Sequence, residues 1–153
     1  MAQAALSEHP ALRLTRRFPA SREAVFAALT GPEAMKRWFG PEGIETPVVE
    51  VDLRPGGAYR IEFHDPDGMV AVVSGVYREI TPPERLIYTW IWEKSDMAAG
   101  DTETLVTIEL HDTGDGTELT LLHEGIADPE QRARHDQGWN STFNCLEAFL
   151  QSS

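Results

Sequence analysis

Residues 128–150 read DPEQRARHDQGWNSTFNCLEAFL, and the fold turns on this stretch. Asp128 offers a side-chain oxygen for an N-cap, Pro129 stands at N1 where its missing N–H costs nothing, and Gln131 at N3 would complete a capping box. Trp139, Phe143, Leu146 and Leu150 then recur at spacings of 4, 3 and 4, one stripe of a 3.6-residue period, which His135 and Arg132 extend toward the N-terminus. At about 1.5 Å per residue such a helix spans roughly 30 Å, enough to cross a whole sheet. Function is expected in the space between this helix and the sheet it covers.

Working back from the helix, residues 44–124 are dominated by period-2 alternation, interrupted by turn residues. The runs fall at 44–52, 58–64, 69–79, 85–92, 103–112 and 117–124. Asp65-Pro66-Asp67-Gly68 and Thr113-Gly114-Asp115-Gly116 supply the turn chemistry of antiparallel hairpins. Arg54-Pro55-Gly56-Gly57 and Thr81-Pro82-Pro83-Glu84 punctuate the others, and Gly75, inside a strand pattern, is expected to mark a bulge. Residues 93–101 form the longest polar connection and are expected to be a mobile loop.

The alternation assigns the faces. Tyr59, Ile61 and Phe63 oppose Arg60, Glu62 and His64, and Val106, Ile108 and Leu110 oppose Thr107, Glu109 and His111. A sheet with one wet face must cover the other, and only the terminal helix is long enough to do so.

The N-terminal part supplies the remaining elements. Residues 12–18 read as a first strand, with Arg13, Arg16 and Arg17 on the solvent face of a sheet edge. Ser21 caps a short helix through Leu29, and Thr30-Gly31-Pro32-Glu33 stops it and starts a second, through about Arg37. Trp38 and Phe39 stand just before the Gly40-Pro41 turn, where they are expected to pack under the sheet or line an opening. The predicted fold class is α+β: a curved seven-stranded antiparallel sheet gripping a long C-terminal helix, with two short helices between strands 1 and 2.

Composition narrows the function classes. A length of 153 residues suits one domain, read as 11–153 after a flexible lead-in of 1–10. That lead-in has no secretory-signal pattern and no apolar run has the length of a membrane span, so a cytoplasmic location and no membrane are expected. Thirteen Lys and Arg against 25 Asp and Glu give a net charge of -12, which repels phosphate backbones and argues against nucleic acid as a partner. The single Cys145 cannot form an internal disulfide and reads as a buried thiol. His123, Glu124, His135 and Asp136 make no metal-ligand pattern, Gly56-Gly57 opens no helix that could cradle a phosphate, and Ser74-Gly75 is no nucleophile elbow. No metal and no cofactor are expected.

Several spaced motifs carry a family resemblance over residues 10–150. Trp38-Phe39-Gly40-Pro41, Leu53-Arg54-Pro55-Gly56-Gly57, Pro82-Pro83-Glu84-Arg85-Leu86 before Tyr88-Thr89-Trp90, Gly116-Thr117-Glu118-Leu119-Thr120 and the late Gly138-Trp139 occur in order. Together they resemble the SRPBCC superfamily, which includes START domains and the birch pollen allergen. The branch they look most like is named for the C-terminal domain of the activator of the heat-shock-protein-90 ATPase. The resemblance implies a helix-grip fold whose members bind lipids, hormones and polyketides or catalyse cyclisation.

A pocket between sheet and helix is therefore expected, lined by Trp38, Phe63, Trp90, Trp139 and Phe143, with His123 and His135 as polar groups. The expected function is binding of a hydrophobic or aromatic small molecule. A cyclase or dehydratase using the two histidines as acid and base, and a co-chaperone-like interaction module with a chaperone partner, are the alternatives. The edge strand at 12–18 is compatible with a monomer or a homodimer.

Overall fold

The computed structural model describes residues 11–94 and 103–152. The expected lead-in at 1–10 and all but the first two residues of the expected loop at 93–101 lie outside the described residues. Strand β1, Ala11–Phe18, is followed by helices α1, Arg22–Thr30, and α2, Pro32–Trp38. Strands β2, Glu45–Val51, β3, Ala58–His64, β4, Val70–Thr81, β5, Arg85–Lys94, β6, Glu103–Asp112, and β7, Thr117–Glu124, then lead to helix α3, Pro129–Ser152. The seven strands form one antiparallel sheet in the order β1-β7-β6-β5-β4-β3-β2. Every neighbour but β1–β7 is consecutive in sequence, so β1 and β2 are the edges.

Helix α3 covers the concave face. Its buried residues are His135, Trp139, Thr142, Phe143, Leu146 and Leu150, the stripe expected from the 3.6-residue period with Thr142 added and without Arg132, which stays half-buried and donates to the Ile126 carbonyl at 3.1 Å. Opposite them lie the inward residues of alternating strands: Tyr59, Ile61 and Phe63 of β3, Val106, Ile108 and Leu110 of β6, Leu119 and Leu121 of β7. Asp128 caps the helix as expected, its Oδ1 accepting the Glu130 N–H at 3.0 Å. The reciprocal half of the capping box does not form, since the Gln131 side-chain oxygen is buried without a hydrogen-bond partner.

The short helices are fixed by specific bonds. Ser21 Oγ accepts the Ala24 N–H at 3.1 Å, and Trp38 Nε1 donates to the Ala28 carbonyl at 3.0 Å, tying α2 to α1. Trp38 and Phe39 are both buried. Phe39 is further held by Thr46, whose hydroxyl donates to the Phe39 carbonyl.

Three expectations are corrected. Arg16 does not sit on the solvent face of β1: it shares the inward face with Leu12, Leu14 and Phe18. Its guanidinium donates to the Asn140 carbonyl at 3.2 Å, Asn144 Oδ1 at 2.9 Å and Glu147 Oε1 at 3.1 Å, and lies over the Phe18 ring, so it clamps the edge strand to α3. An arginine can do this because its long apolar stem packs while its fork reaches out to acceptors.

Gly75 is not a bulge. The β4–β5 register shifts instead between Val72 and Val73 and between Tyr77 and Glu79. Gly75 is a close-approach site: a Cβ there would stand 2.0 Å from the Thr89 carbonyl oxygen and 2.7 Å from the Tyr59 ring. Tyr59 crosses this gap from β3 and donates its hydroxyl to the Thr89 carbonyl of β5. The Thr89 hydroxyl in turn accepts the Val76 N–H at 2.8 Å. Cys145, finally, is half-buried, because it flanks the stripe.

Replacing Arg16 by leucine keeps the apolar stem but removes the three bonds to α3. Chemical unfolding should show a loss of about 1–2 kcal/mol, with Glu147→Gln costing under about 1 kcal/mol because that carboxylate is half-exposed.

Candidate functional site

Between the first half of α3 and strands β3, β4 and β5 the core opens into a cavity of about 280 Å³. Its aromatic wall is Phe39, Phe63, Trp90, Trp92 and Trp139. Ile44, Val70 and Ala71 add aliphatic surface, and Gly138 and Thr142 form the helix side. Pro41, Asp65 and Met69 also line it, and Met69, at the β3–β4 turn, is 66% exposed. The alternation of β5 explains the wall: Tyr88, Trp90 and Trp92 share the inward face, so two adjacent inward positions carry indoles. Rings interlock around the space, with Phe39 stacked on Phe63 at 6.0 Å and Trp90 tilted against Trp139 at 5.1 Å.

Of the residues expected from the sequence, Phe63, Trp90, His135 and Trp139 line this cavity. Trp38, His123 and Phe143 do not. Trp38 is spent on the α1–α2 contact, and Phe143 packs edge-on against Phe18 at 6.0 Å in the closed half of the grip. His123 is fully buried behind the wall. Sequence reasoning missed Trp92, Ala71, Gly138 and Thr142; the spacing of Trp92 from Trp90 was the available signal.

The two histidines do converge, their rings meeting edge-on with centroids 5.4 Å apart. Each is bonded at both nitrogens. Trp139 Nε1–H donates to His123 Nδ1 at 3.1 Å, so that nitrogen carries no proton and His123 is the Nε2–H tautomer. Nε2–H then donates to Thr104 Oγ1 at 2.8 Å, and the Thr104 hydroxyl donates to the Trp90 carbonyl at 2.9 Å.

His135 is the mirror case. Its Nδ1 lies 2.7 Å from the Gln131 carbonyl and must be the donor, leaving Nε2 to accept the Trp92 indole N–H at 2.9 Å. Both imidazoles are thus neutral acceptors for tryptophans. Burial, with repulsion from His135, lowers the pKa of His123 to about 3. Burial also lowers that of His135, against the opposing bond to Gln131.

This arrangement suits a rigid, dry wall better than proton transfer, since protonating either acceptor nitrogen would expel an indole N–H. The remaining indole, Trp90 Nε1, is buried without a hydrogen-bond partner. Among the described residues no three or more His, Cys, Asp and Glu side chains come together as metal ligands would. No described helix is long and apolar enough to cross a membrane.

Comparisons with known proteins give the family and agree with the fold. The model for the family described as activator of Hsp90 ATPase homolog 1-like protein matches residues 19–151. The chain belongs to this family. Among solved structures, protein CV1439 from Chromobacterium violaceum is 32% identical with a TM-score of 0.83, over 92% of this chain and 96% of that one. The AHSA1 protein from Silicibacter pomeroyi is 30% identical with a TM-score of 0.80, over 93% and 98% of the two chains. Protein NE0264 from Nitrosomonas europaea is 31% identical with a TM-score of 0.78, over 95% and 96%. No curated protein matches the chain significantly. Membership in the Hsp90-activator-like family accounts for the shared helix-grip architecture and leaves the chemistry to the site.

The neutral histidines set a pH dependence. The unfolded chain takes up a proton on each histidine below a pKa near 6.5, while folded His123 stays neutral down to about 3. Their contribution to stability is therefore constant above about pH 6.5 and falls as pH drops, by about 1.4 kcal/mol per unit for His123. His123→Gln, which keeps an acceptor for Trp139, should flatten urea-unfolding stability between about pH 6 and about pH 4 by roughly that slope.

Proposed function

We propose that this protein binds a hydrophobic or aromatic small molecule in the cavity between α3 and the sheet. The observation that carries the reading is the cavity itself: about 280 Å³ of space walled by five aromatic side chains. That volume lies just below the usual range of about 300–1,000 Å³ for ligand pockets, which favours a compact, ring-sized ligand over a long acyl chain. The lining is mostly apolar and is open at the exposed Met69 edge, so it faces solvent instead of packed side chains. A bound ligand would cover that surface.

Gly138 supports the same reading. It stands in the interior of α3, where glycine is less favourable than alanine by roughly 0.5–1 kcal/mol, and it lines the cavity. A Cβ at this position would meet nothing within 4 Å, so packing does not demand the glycine. Its effect is to leave the cavity open.

The proton-transfer alternative is disfavoured by the engagement of all four imidazole nitrogens. A chaperone-partner role is suggested by the family description alone and needs an exterior surface; retention on an immobilised heat-shock-protein-90 homologue at micromolar concentration would support it.

The test combines two substitutions with a neutral fluorescent probe, N-phenyl-1-naphthylamine. Gly138→Ala should raise stability by about 0.5–1 kcal/mol. Gly138→Leu should fill the cavity, keep the fold by circular dichroism, and weaken probe binding at least about tenfold, near 1.4 kcal/mol. Unchanged binding by Gly138→Leu would remove the cavity from the account. Native mass spectrometry of protein purified from its own host would name a retained ligand.

A further inference from the structure

The charge distribution around the cavity discriminates among ligands. Among the described residues that line it there is no Lys or Arg, and the charged group is the carboxylate of Asp65. His135 contributes no positive charge or free donor, because one of its nitrogens donates to Gln131 and the other accepts from Trp92. An anionic ligand would therefore find only neutral donors, the unpartnered Trp90 indole N–H among them, with no cationic side chain in the lining, next to a carboxylate and in a chain of net charge -12.

Asp65 is more than a turn residue. Its Oδ1 accepts the Asp67 N–H at 2.8 Å and the Met69 N–H at 3.1 Å, bonds that hold the β3–β4 turn. An asparagine would make the same turn. What the carboxylate adds is a negative charge at the rim of an aromatic chamber. Aromatic walls attract cations through the negative faces of their rings, most strongly for tryptophan, and quaternary ammonium groups are recognised by such cages.

We infer that the ligand is an organic cation, an ammonium group on a compact apolar or aromatic body, with the cation held at the Asp65 end and the body among Phe39, Phe63, Trp90, Trp92 and Trp139. This inference rests on the cavity reading and adds the ligand's charge. Carboxylates such as fatty acids are disfavoured by the same features, since no lining side chain carries a compensating positive charge.

Three naphthalene probes of similar shape test it by isothermal titration of the full chain: 2-naphthylmethylammonium, 2-naphthylmethanol and 2-naphthoate. At about 0.15 M salt, where charges beyond about 8 Å are largely screened, local charge decides the ranking. The ammonium should bind about tenfold or more tightly than the naphthoate, and more tightly than the alcohol. Asp65→Asn should abolish the lead of the ammonium over the alcohol and leave the alcohol's affinity within about twofold.

Naphthoate binding as tightly as the ammonium, or no lead of the ammonium over the alcohol, would overturn the inference while leaving the cavity reading in place. A lead retained in Asp65→Asn would assign the preference to net charge and overturn it likewise. If none of the three probes binds, both the inference and the cavity reading fall.

Discussion

The hydrogen bond from Trp139 to His123 joins helix to sheet in the middle of an apolar core. It is directional where the surrounding contacts are not, so it fixes the rotation of α3 as well as its distance from β7. With Trp139 turned toward His123, Phe143 and Leu146 fall into the packed region and Gly138 and Thr142 face the open one. The second such bond, from Trp92 to His135, repeats the device one helical turn earlier and holds the β5 end of the wall. An indole and an imidazole satisfy each other's polar atoms, which lets four large, partly polar rings stand within and beside an apolar core.

Much of this was readable in the sequence, for reasons specific to particular segments. The runs at 58–64, 103–112 and 117–124 coincide with β3, β6 and β7 because alternation runs through each, interrupted only by the outward Leu105 and Leu122, and the bounding turns carry Gly, Pro or Asp. The stripe of α3 was readable because a 3.6-residue period over six turns has few competing explanations. Arg16 was misplaced because a positive charge on an edge strand looks solvent-facing; only the carbonyl and side-chain oxygens of α3, 124–131 residues away, show why it turns inward. Gly75 was misread because a bulge and a tyrosine crossing leave the same mark, a glycine within a strand.

The candidate site was readable less completely. Periodicity identifies an inward side chain but not whether it meets empty space or another side chain. Trp38 and Phe143 are inward and packed, whereas Trp90 and Trp139 are inward and border the cavity. The distinction depends on where α3 diverges from the sheet, a three-dimensional quantity. The roles of the histidines were equally hidden, since His123 and His135 acquire them from Trp139, Thr104, Trp92 and Gln131 together.

The division of the grip into a solid half and a hollow half has a consequence for how such a chain can change. Phe18, Phe143, Leu146 and Leu150, with the inward residues of β6 and β7, make a closed core that does not line the cavity. Substitutions around the hollow, at Ala71, Val70 or Thr142, alter the shape of an existing void and disturb little else. The two sets overlap at Phe39, Phe63, Trp90 and Trp139, which belong to the core and to the cavity wall alike, but the closed half does not depend on Val70, Ala71 or Thr142. A lineage built on this scaffold can reshape the hollow by small steps at those positions while the closed half keeps the molecule folded throughout.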